Sequence, residues 1–379
     1  MLIRLLTPEE RDRHDRVVDH PVQSWQWGEF KRQSGLDVER IGFFENDTLV
    51  RAIQVTFHRL PVLGSVGYAP KSFLPDAEQL SALKRAAKQH RAIFTKLEPN
   101  VFAVAAGAVP QAGAAESDGG AGHAAPDTPQ TGAGMQDAGA GHAAADAFSP
   151  SLDALMLEHD GRRGEPIYTK HDFHLDLRPD EDALFAALNS KTRYNVRLAI
   201  KKRVEIVEDS SEAGMETYIR LMLETTQRQK FYSHSPEFFR SMWRVIGRAD
   251  NSMMRVFHAR YADETLVAWI VFVFNGKLYY PYGASSDQHR EVMASNLMMW
   301  RVIQYGKASG CTDFNMWGAL GPVPDERDSF YGFHRFKQGY GSVLMENVGT
   351  YDLVYNKASY RLFGLLNNLR WRYLRLKRR

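Results

Sequence analysis

Residues 254–282 read MRVFHARYADETLVAWIVFVFNGKLYYPY, a stretch in which three strands can be recognised. The turn-forming groups ADE at 262–264 and NGK at 275–277 divide it into apolar runs rich in β-branched and aromatic residues. A helix at 289–309 and a further strand at 313–317 are predicted to follow, and that last strand has to return to the same sheet. Three consecutive strands, a helix and a returning strand predict a mixed α/β sheet.

The same order of elements occurs earlier in the chain. It comprises strands at 38–44, 49–57 and 64–68, a helix at 77–91 and a strand at 93–97. Meander, helix and strand is also the order of the GNAT acyltransferase fold. The predicted fold class is therefore α/β (α+β), with two GNAT-like domains whose mixed sheets are flanked by helices and which are related by internal duplication.

An Ala- and Gly-rich segment at about 101–150 interrupts the first domain. It contains almost no large apolar residue, so burial cannot offset the entropy of ordering it, and we expect a disordered insertion. The predicted domains are 1–170 and 171–348, followed by a basic C-terminal helix at 349–379. The second domain is predicted to begin with a strand and then one helix that runs from 179 to about 203.

Composition excludes several classes of protein. Hydrophobic residues make up 44% of the 379 positions and charged residues 25%, which is ordinary globular usage. The single cysteine, Cys311, excludes a disulfide framework and a cysteine-built zinc or iron–sulfur site. The N-terminus lacks the apolar run of a signal peptide, and the longest apolar run, 266–274, is about half of what a spanning helix needs. We therefore expect a soluble, cytoplasmic protein.

The end of the chain is strongly basic. No acidic residue follows Asp352, whereas the tail carries Lys357, Arg361, Arg370, Arg372, Arg375, Lys377, Arg378 and Arg379. Such a tail suits a polyanion, which can be RNA, a diphosphate or an anionic membrane surface, or it serves only as a solubilising tail. An apolar stripe at helical spacing is predicted to form the packed inner side of this helix; it consists of Leu362, Leu365, Leu366 and Leu369.

Five short motifs occur in an order typical of one family. They are SWQWGEFK at 24–31, GYAP at 67–70, KTRYNVRLA at 191–199, TQRQKF at 226–231 and FKQGYG at 336–341. Together they resemble the FemAB family, the peptidoglycan-bridge aminoacyltransferases built from two GNAT-like domains. Only about twenty residues separate Phe231 from the strand at Met254, so the chain resembles the compact, FemX-like members without a coiled-coil arm.

The resemblance implies a reaction and its partners. Such enzymes take an amino acid from aminoacyl-tRNA and attach it to the side-chain amine of the third residue of the peptidoglycan stem peptide. The acceptor is lipid II or its UDP-linked precursor, and the membrane surface is a further expected partner. The resemblance also implies that the C-terminal helix packs back on the first domain.

The expected chemistry is aminolysis of an ester, which needs a neutral amine, a site for the developing oxyanion and close positioning. We expect no metal and no cofactor, because the sequence has no His/carboxylate cluster at metal spacing and no nucleophile elbow. The resemblance implies Phe336 and Lys337 as the catalytic pair. Lys337 would stabilise the oxyanion or an RNA phosphate, and Phe336 would shape a dry pocket. Glu98 corresponds to an acidic residue considered as the base, or it only holds a loop.

The resemblance implies further residues that bind substrate. The expected acceptor contacts are Lys31, Thr226, Arg228, Tyr232 and one of the two tyrosines Tyr280 and Tyr282, which strand alternation places on one face. An arginine suits the acceptor's diphosphate because its donor fork can hold two oxygens. The basic helix with Arg193, Arg197, Lys201 and Lys202 is either a solvated face or a tRNA contact, to which Arg372 and Arg375 would add.

Two other functions remain open at this point. A GNAT acyltransferase that uses a CoA thioester would need a Gly-rich turn for the pyrophosphate, but residues 283–290 have one glycine and an aspartate. A non-catalytic protein that binds RNA or a membrane surface would explain the basic tail but not the Phe336-Lys337 pair.

We predict that deleting about Gly107 to Pro150 leaves folding and catalysis nearly intact. The reason is that loop-closure entropy changes by only about 0.6 kcal/mol for each doubling of loop length. The measurement compares the melting temperature and turnover of the deletion with those of the full chain. A deletion that loses solubility or activity would identify the segment as structural.

Overall fold

The computed structural model describes residues 1–105, 149–229, 233–249 and 251–377, which form two compact units. The first unit contains Met1–Phe102 and, among the described residues, 149–168 and 347–377; the second contains 103–105 and the described part of 169–346. Most of the predicted insertion, 106–148, lies outside the described residues.

The strands, in chain order, are β1 (Leu2–Leu5), β2 (Asp37–Glu45), β3 (Thr48–Leu60), β4 (Gly64–Ser72), β5 (Ala92–Pro99), β6 (Phe102–Val104), β7 (Gly161–Arg163), β8 (His171–Asp176), β9 (Glu205–Glu208), β10 (Met254–Tyr261), β11 (Glu264–Phe274), β12 (Lys277–Ser285), β13 (Asp313–Ala319), β14 (Val343–Asn347) and β15 (Tyr351–Val354).

The helices are α1 (Arg11–Val17), α2 (Trp25–Gln33), α3 (Ala77–Gln89), α4 (Ser149–Glu158), α5 (Glu181–Ala187), α6 (Ser190–Lys201), α7 (Glu212–Gln229), α8 (Pro236–Met242), α9 (Ala294–Ala308), α10 (Tyr331–Gln338) and α11 (Lys357–Lys377). Short 3-10 segments occur at Pro8–Glu10, Pro21–Gln23 and Arg290–Val292, and a π-helical turn at Trp243–Gly247 follows α8.

Both units have a mixed sheet of the same design. The strand order is β1-β2-β3-β4-β5-β15-β7 in the first unit and β6-β14-β8-β13-β12-β11-β10-β9 in the second. In each sheet three antiparallel strands are followed by a helix and then a strand parallel to the third, which gives the pairs β4–β5 and β12–β13. The predicted fold class, two GNAT-like α/β domains with mixed sheets flanked by helices, is confirmed.

Helix α3 illustrates why these sequences form these elements. The Asp76 side chain caps it by accepting a hydrogen bond from the Gln79 N–H at 2.9 Å. Leu80, Leu83 and Ala87 recur at spacings of three and four and are buried against the first sheet. Burying a leucine side chain contributes about 1.5–3 kcal/mol, so this apolar stripe fixes the helix on the sheet.

The prediction of one helix from 179 to about 203 is wrong, because α5 and α6 are separate helices. Leu188 is extended (ψ 147°), and the Asn189 side chain accepts a hydrogen bond from the Thr192 N–H at 2.7 Å. Asn189 also donates its own N–H to the Gly339 carbonyl at 3.0 Å. The cap on the second helix and the backbone bond to another element interrupt the helix at this point. The apolar stripe continues across the break, which is why it had suggested one helix.

The packed side of α11 also differs from the expectation. Tyr360 and Phe363 pack on the first sheet, with ring centroids 5.0 and 5.4 Å from that of Phe94. The leucine stripe predicted to be the inner side is exposed, with exposed fractions of 44–58%. The prediction was wrong because periodicity identifies residues that share a face but not which of two apolar faces packs.

Within the part of the chain that the structure describes, no helix has both the length and the apolar character to cross a bilayer.

Both ends of the predicted insertion belong to regular structure. Phe102–Val104 forms β6 at the edge of the second sheet, and α4 begins at Ser149. Leu152 and Met156 of α4 are buried in the core of the first unit. The deletion that tests the insertion should therefore end before Ser149, because a longer one removes the start of a packed helix.

Candidate active site

The parallel strands β12 and β13 separate in the middle of the second sheet. Their pairing ends at Tyr279 and Asn315, although the strands continue to Ser285 and Ala319. In the parted section Trp317 has φ +65°, a conformation that bulky residues rarely adopt and that costs about 1–3 kcal/mol. Strain of this kind persists only where surrounding contacts enforce it, and it is common at functional sites.

The Lys337 side chain, from α10, binds β13 in the section that has parted from β12. Its Nζ donates hydrogen bonds to the carbonyl oxygens of Trp317 at 3.1 Å and Gly318 at 2.8 Å. The same nitrogen lies 3.6 Å from the centroid of the Phe333 ring and 5.9 Å from that of Tyr280. Lys337 has no exposed area, so its amine binds two strand carbonyls inside an aromatic enclosure.

Burial controls the protonation of this lysine. Desolvation lowers the pKa of Lys337 well below its ordinary 10.5, and the Asp172 carboxylate partly opposes that change. Burial, with a smaller contribution from the charge of Lys337, also lowers the pKa of His334 to about 4. A neutral lysine amine has two N–H groups, which match the two carbonyls, and a lone pair that can accept a proton. Desolvation therefore favours the neutral amine of Lys337.

A hydrogen-bonded chain supports the strained residue. The Thr169 hydroxyl donates to Asp172 Oδ1 at 2.9 Å, and the Asn315 amide donates to Asp172 Oδ2 at 3.4 Å. The Trp317 N–H in turn donates to Asn315 Oδ1 at 2.6 Å. Asp172 is thus connected through Asn315 to Trp317, whose carbonyl holds Lys337.

Phe336, the other member of the predicted pair, lies beside this enclosure. Its ring contacts Trp269 and Tyr340 edge-on, at centroid distances of 6.4 and 5.3 Å. Trp269 stacks on Tyr280 at 3.9 Å. A Cβ at Gly283 would lie only 2.0 Å from the Tyr280 hydroxyl, so the stack requires glycine there. Phe336 therefore belongs to a tightly packed aromatic group around the lysine.

Tyr280 and Tyr282 do not share a face, contrary to the expectation from alternation. Tyr280 belongs to the core cluster that contains Trp269, whereas Tyr282 packs edge-on against Phe239 of α8 at 5.3 Å. Between two paired positions β12 has one residue more than β11, because Ile270 pairs with Tyr282 and Phe272 with Tyr279. This bulge reverses the alternation, which the strand sequence alone does not reveal.

Arg228, at the end of α7, binds the last residue of β12. Its Nη2 donates to the Ser285 carbonyl at 2.9 Å and to the Ser285 hydroxyl at 3.3 Å. Glu224 lies 3.8 Å from the other guanidinium nitrogen. The Thr226 hydroxyl donates within the same helix, to the Leu223 carbonyl at 2.9 Å. Tyr232 lies outside the described residues.

The predicted tRNA-binding residues have different surroundings. Arg193 donates to the carbonyls of Ala186 and Leu188 at the end of α5, and the Arg197 guanidinium lies 5.2 Å from the Phe185 ring centroid. Both arginines thus pack on α5. The exposed cations of this group are Arg197, Lys201, Lys202 and Arg372, while only the helical backbone is described for Arg375.

Lys31 lies at the end of α2 in the first unit. Its Nζ is 5.0 Å from the ring centroids of both Trp27 and Phe30. Burial, with a smaller contribution from the Lys31 charge, lowers the pKa of His58 to about 4. His58 contacts Tyr68 edge-on at 4.6 Å, which connects the SWQWGEFK motif to the GYAP motif. Lys31 is partly exposed.

Glu98 is buried in the first unit and holds the chain around it. Its Oε2 accepts hydrogen bonds from the N–H groups of Ile167 and Tyr168, at 2.8 and 3.3 Å, and from the Thr350 hydroxyl at 2.7 Å. Its Oε1 lies 3.3 Å from Nζ of Lys71, which is equally buried. The geometry favours the loop-holding interpretation, because both carboxylate oxygens face donors of the protein itself.

A FemAB family model matches residues 126–256 and 248–368. The chain belongs to the FemAB family. Similar curated proteins include the lipid II:glycine glycyltransferases of Staphylococcus saprophyticus, 24% identical, and of Staphylococcus aureus strain USA300, 23% identical; each comparison covers 92% of both chains. The crystal structure of FemX matches with a TM-score of 0.74 and 18% identity, covering 96% of this chain and 99% of that one. At this identity the structural likeness concerns the fold.

Sequence reasoning missed two residues of this FemAB protein, Asp172 and Asn315. Both are buried polar side chains in strands of the second sheet. Asn315 could have been identified from its place between Phe314 and Met316, because burying such a polar group needs compensating hydrogen bonds, whereas Asp172 lies among other polar residues of β8 and gives no such signal. In residues 1–105, 149–229, 233–249 and 251–377 no three His, Cys, Asp or Glu side chains are grouped so that they could hold a metal ion.

The FemAB chain offers a direct test of the role of Glu98. Glu98→Ala should lower the free energy of unfolding by about 3–5 kcal/mol, because it leaves Lys71 buried without its carboxylate. The double variant Lys71→Met/Glu98→Gln should recover part of that loss, and chemical denaturation measures both. Unchanged stability together with lost turnover would instead identify Glu98 as a catalytic base.

Proposed function

We propose that this FemAB protein is an aminoacyltransferase that forms the interpeptide bridge of peptidoglycan. It moves an amino acid from aminoacyl-tRNA to the side-chain amine of the stem peptide of lipid II or its UDP-linked precursor. The proposal is supported by the relatives named lipid II:glycine glycyltransferases. The observation that carries it is the buried Lys337 amine at the parted strands.

The proposed reaction is a direct aminolysis. The acceptor nitrogen attacks the ester carbonyl carbon, a C–N bond forms, and the C–O bond to the tRNA ribose breaks. Neutral Lys337 takes the proton from the attacking nitrogen and delivers it to the leaving ribose oxygen. In between, the protonated lysine stabilises the oxyanion, while Trp317 and Gly318 keep its nitrogen in place. Because Lys337 has no exposed area, donor binding has to move the side chains that cover it.

The proposed substrate contacts include two cations and a tyrosine. Lys31 and Arg228 are proposed to bind the acceptor's diphosphate, and Tyr282, on the strand that ends at Ser285, is a further proposed acceptor contact. Thr226 and Tyr232 remain predicted acceptor contacts. The tRNA contacts are proposed chiefly for the exposed cations in and directly after α6, which are Arg197, Lys201 and Lys202, with the partly buried Arg193 as a further contact. The protein is proposed to work in the cytoplasm at the inner face of the plasma membrane.

The CoA-dependent alternative is disfavoured by backbone contacts. Binding a pyrophosphate would require free N–H groups in the turn that precedes α9. The N–H of Ser286 donates to the Leu266 carbonyl at 2.7 Å, that of Asp287 to Glu224 at 3.3 Å, and that of Gln288 to the Ser286 hydroxyl at 3.2 Å. The described turn therefore uses these donors within the protein.

The central experiment incubates the purified protein with a mixed pool of charged tRNAs and UDP-linked muropeptide. The expected result is a mass increase of the muropeptide by one or more amino-acid residues, which ribonuclease treatment abolishes. Replacing the tRNA pool with acetyl-CoA should give no product. Transfer from acetyl-CoA alone would contradict the proposal, as would no product with any charged tRNA.

Lys337→Met should lower kcat by about 10²–10³-fold, the loss measured when one group that stabilises an oxyanion is removed. KM for the acceptor should change little, because the lysine acts on groups that change during the reaction. Steady-state kinetics measure both constants, and the melting temperature shows whether the variant is folded. An unchanged kcat with a raised KM would assign Lys337 to binding.

Asp172→Asn is the companion variant that separates a base from a structural lysine. The Asp172 carboxylate raises the pKa of Lys337, so its removal lowers that pKa further. Since neutral lysine is the active form, kcat rises as pH increases through this pKa, and the rise should move to lower pH in the variant. Asp176→Asn, in the same strand but at an exposed position, is the matched control. Identical pH profiles of kcat for the wild type, Asp172→Asn and Asp176→Asn would exclude Lys337 as the base.

Lys31→Met and Arg228→Met should raise the acceptor's KM and leave kcat largely intact, because both side chains are assigned to the non-reacting diphosphate. Arg32→Met, which removes an exposed neighbouring cation of α2, is the control for Lys31. Kinetics with the UDP-linked acceptor distinguish the effects. A loss confined to kcat would show that these cations act on the reacting groups instead.

A further inference from the structure

Helix α11 has two apolar faces that point in opposite directions. At 100° per residue, Tyr360, Phe363, Gly364 and Asn367 centre on one side, and this is the side on which the two rings pack on Phe94. The leucine stripe, defined as Leu362, Leu365, Leu366 and Leu369, centres about 180° away. All four leucines are 44–58% exposed, although one apolar face already anchors the helix.

Cations flank the leucine stripe. Arg361 and Arg372 lie on one side of it and Arg370 on the other, and all three are exposed. No acidic residue occurs in the helix or anywhere after Asp352. A helix with apolar residues on its outer face, arginines along the border and no carboxylates has the character of a helix that lies in a membrane interface.

We propose that α11 docks on an anionic lipid surface. The leucine stripe enters the boundary between headgroups and acyl chains, and Arg361, Arg370 and Arg372 bind lipid phosphates. The helix lies parallel to the membrane plane, because its opposite face stays packed on the first sheet through Tyr360 and Phe363.

Charge and apolarity together select this occupant. RNA would use the arginines but leave four leucines in water, with no apolar surface to cover them. A second copy of the chain would bring two arginine-flanked stripes together with no carboxylate on either helix to compensate. An anionic bilayer satisfies both features, because it offers phosphates and hydrocarbon at adjacent depths.

The docking site adds a membrane contact to the proposed function, and it rests on that function only for the benefit of binding near a lipid-linked acceptor. If the acceptor is lipid-linked, α11 holds the enzyme in the plane in which that acceptor diffuses. Binding to a lipid surface without acceptor does not depend on the proposed reaction, so the two ideas can fail separately.

The test measures co-sedimentation of the full chain with vesicles of equal parts phosphatidylglycerol and phosphatidylcholine, and with vesicles of phosphatidylcholine alone. The wild type should bind the anionic vesicles more tightly, and binding should weaken as salt rises. Leu365→Glu/Leu366→Glu should weaken binding by about tenfold or more, because it removes half of the inserted stripe. Leu157→Glu, at an exposed leucine of α4, is the matched control and should bind like the wild type.

Activity assays then separate this proposal from the reaction. The double leucine variant should keep its turnover on the UDP-linked acceptor and lose it on lipid-linked acceptor in vesicles. Vesicle binding by a wild type that transfers no amino acid would refute the reaction and leave the docking site. No binding of the wild type to anionic vesicles would overturn the docking site. If replacement of the three arginines with glutamine abolished only tRNA binding, the lipid-docking proposal would be overturned in favour of an RNA-binding surface. Self-association of the wild type that the leucine variant abolishes would overturn it in favour of a second copy of the chain.

Discussion

Two backbone carbonyls decide the form of the second unit. Where β12 and β13 part, Lys337 donates hydrogen bonds to the carbonyls of Trp317 and Gly318, so a side chain of α10 supplies donors for two buried acceptors. The same contact holds α10 and its aromatic neighbours against β13. Burial of the same amine lowers the pKa of Lys337. Stability and the proposed proton transfer thus depend on one buried side chain.

The first unit repeats the topology of the second, but its two parallel strands do not part. Its parallel pair stays joined as far as Ser72 and Pro99, so no opening forms between the strands. It too carries a buried lysine, Lys71, near the end of the third strand of the meander, but that lysine pairs with the Glu98 carboxylate. The Lys71 amine thus faces a carboxylate, whereas the Lys337 amine faces two backbone carbonyls in a dry enclosure. The same design therefore supplies a structural ion pair in one unit and the candidate base in the other.

Sequence patterns predicted the order of the elements because side-chain periodicity reports local burial. The meanders, the helices that follow them and the returning strands are all present. Three features depended on contacts that periodicity does not report. The break at Leu188 needs the Asn189 cap, the separation of Tyr280 from Tyr282 needs one extra residue in β12, and the outward leucines of α11 need two aromatic rings on the other side. The Asn189 cap is local but is joined by a bond to Gly339, and the other two features are set by partners distant in sequence.

The candidate site was predictable in part for the same reason. Lys337 and Phe336 were recognised from a motif. Asp172 and Asn315 are connected by hydrogen bonds to Trp317, whose strained backbone only the folded chain reveals. Glu98 was recognised as a position, but its surroundings decide between a base and a holding group.

The contact between α6 and α10 has a consequence for the evolution of the chain. Gly339 accepts the Asn189 N–H, and a Cβ at 339 would lie 2.5 Å from the Thr192 hydroxyl. Two motifs far apart in sequence, KTRYNVRLA and FKQGYG, are thus neighbours in space. A side chain at 339 is compatible only with a smaller residue at 192, so the two positions should covary among homologues. Drift at one of them is constrained by the other, and through α10 both are constrained by the lysine two residues away.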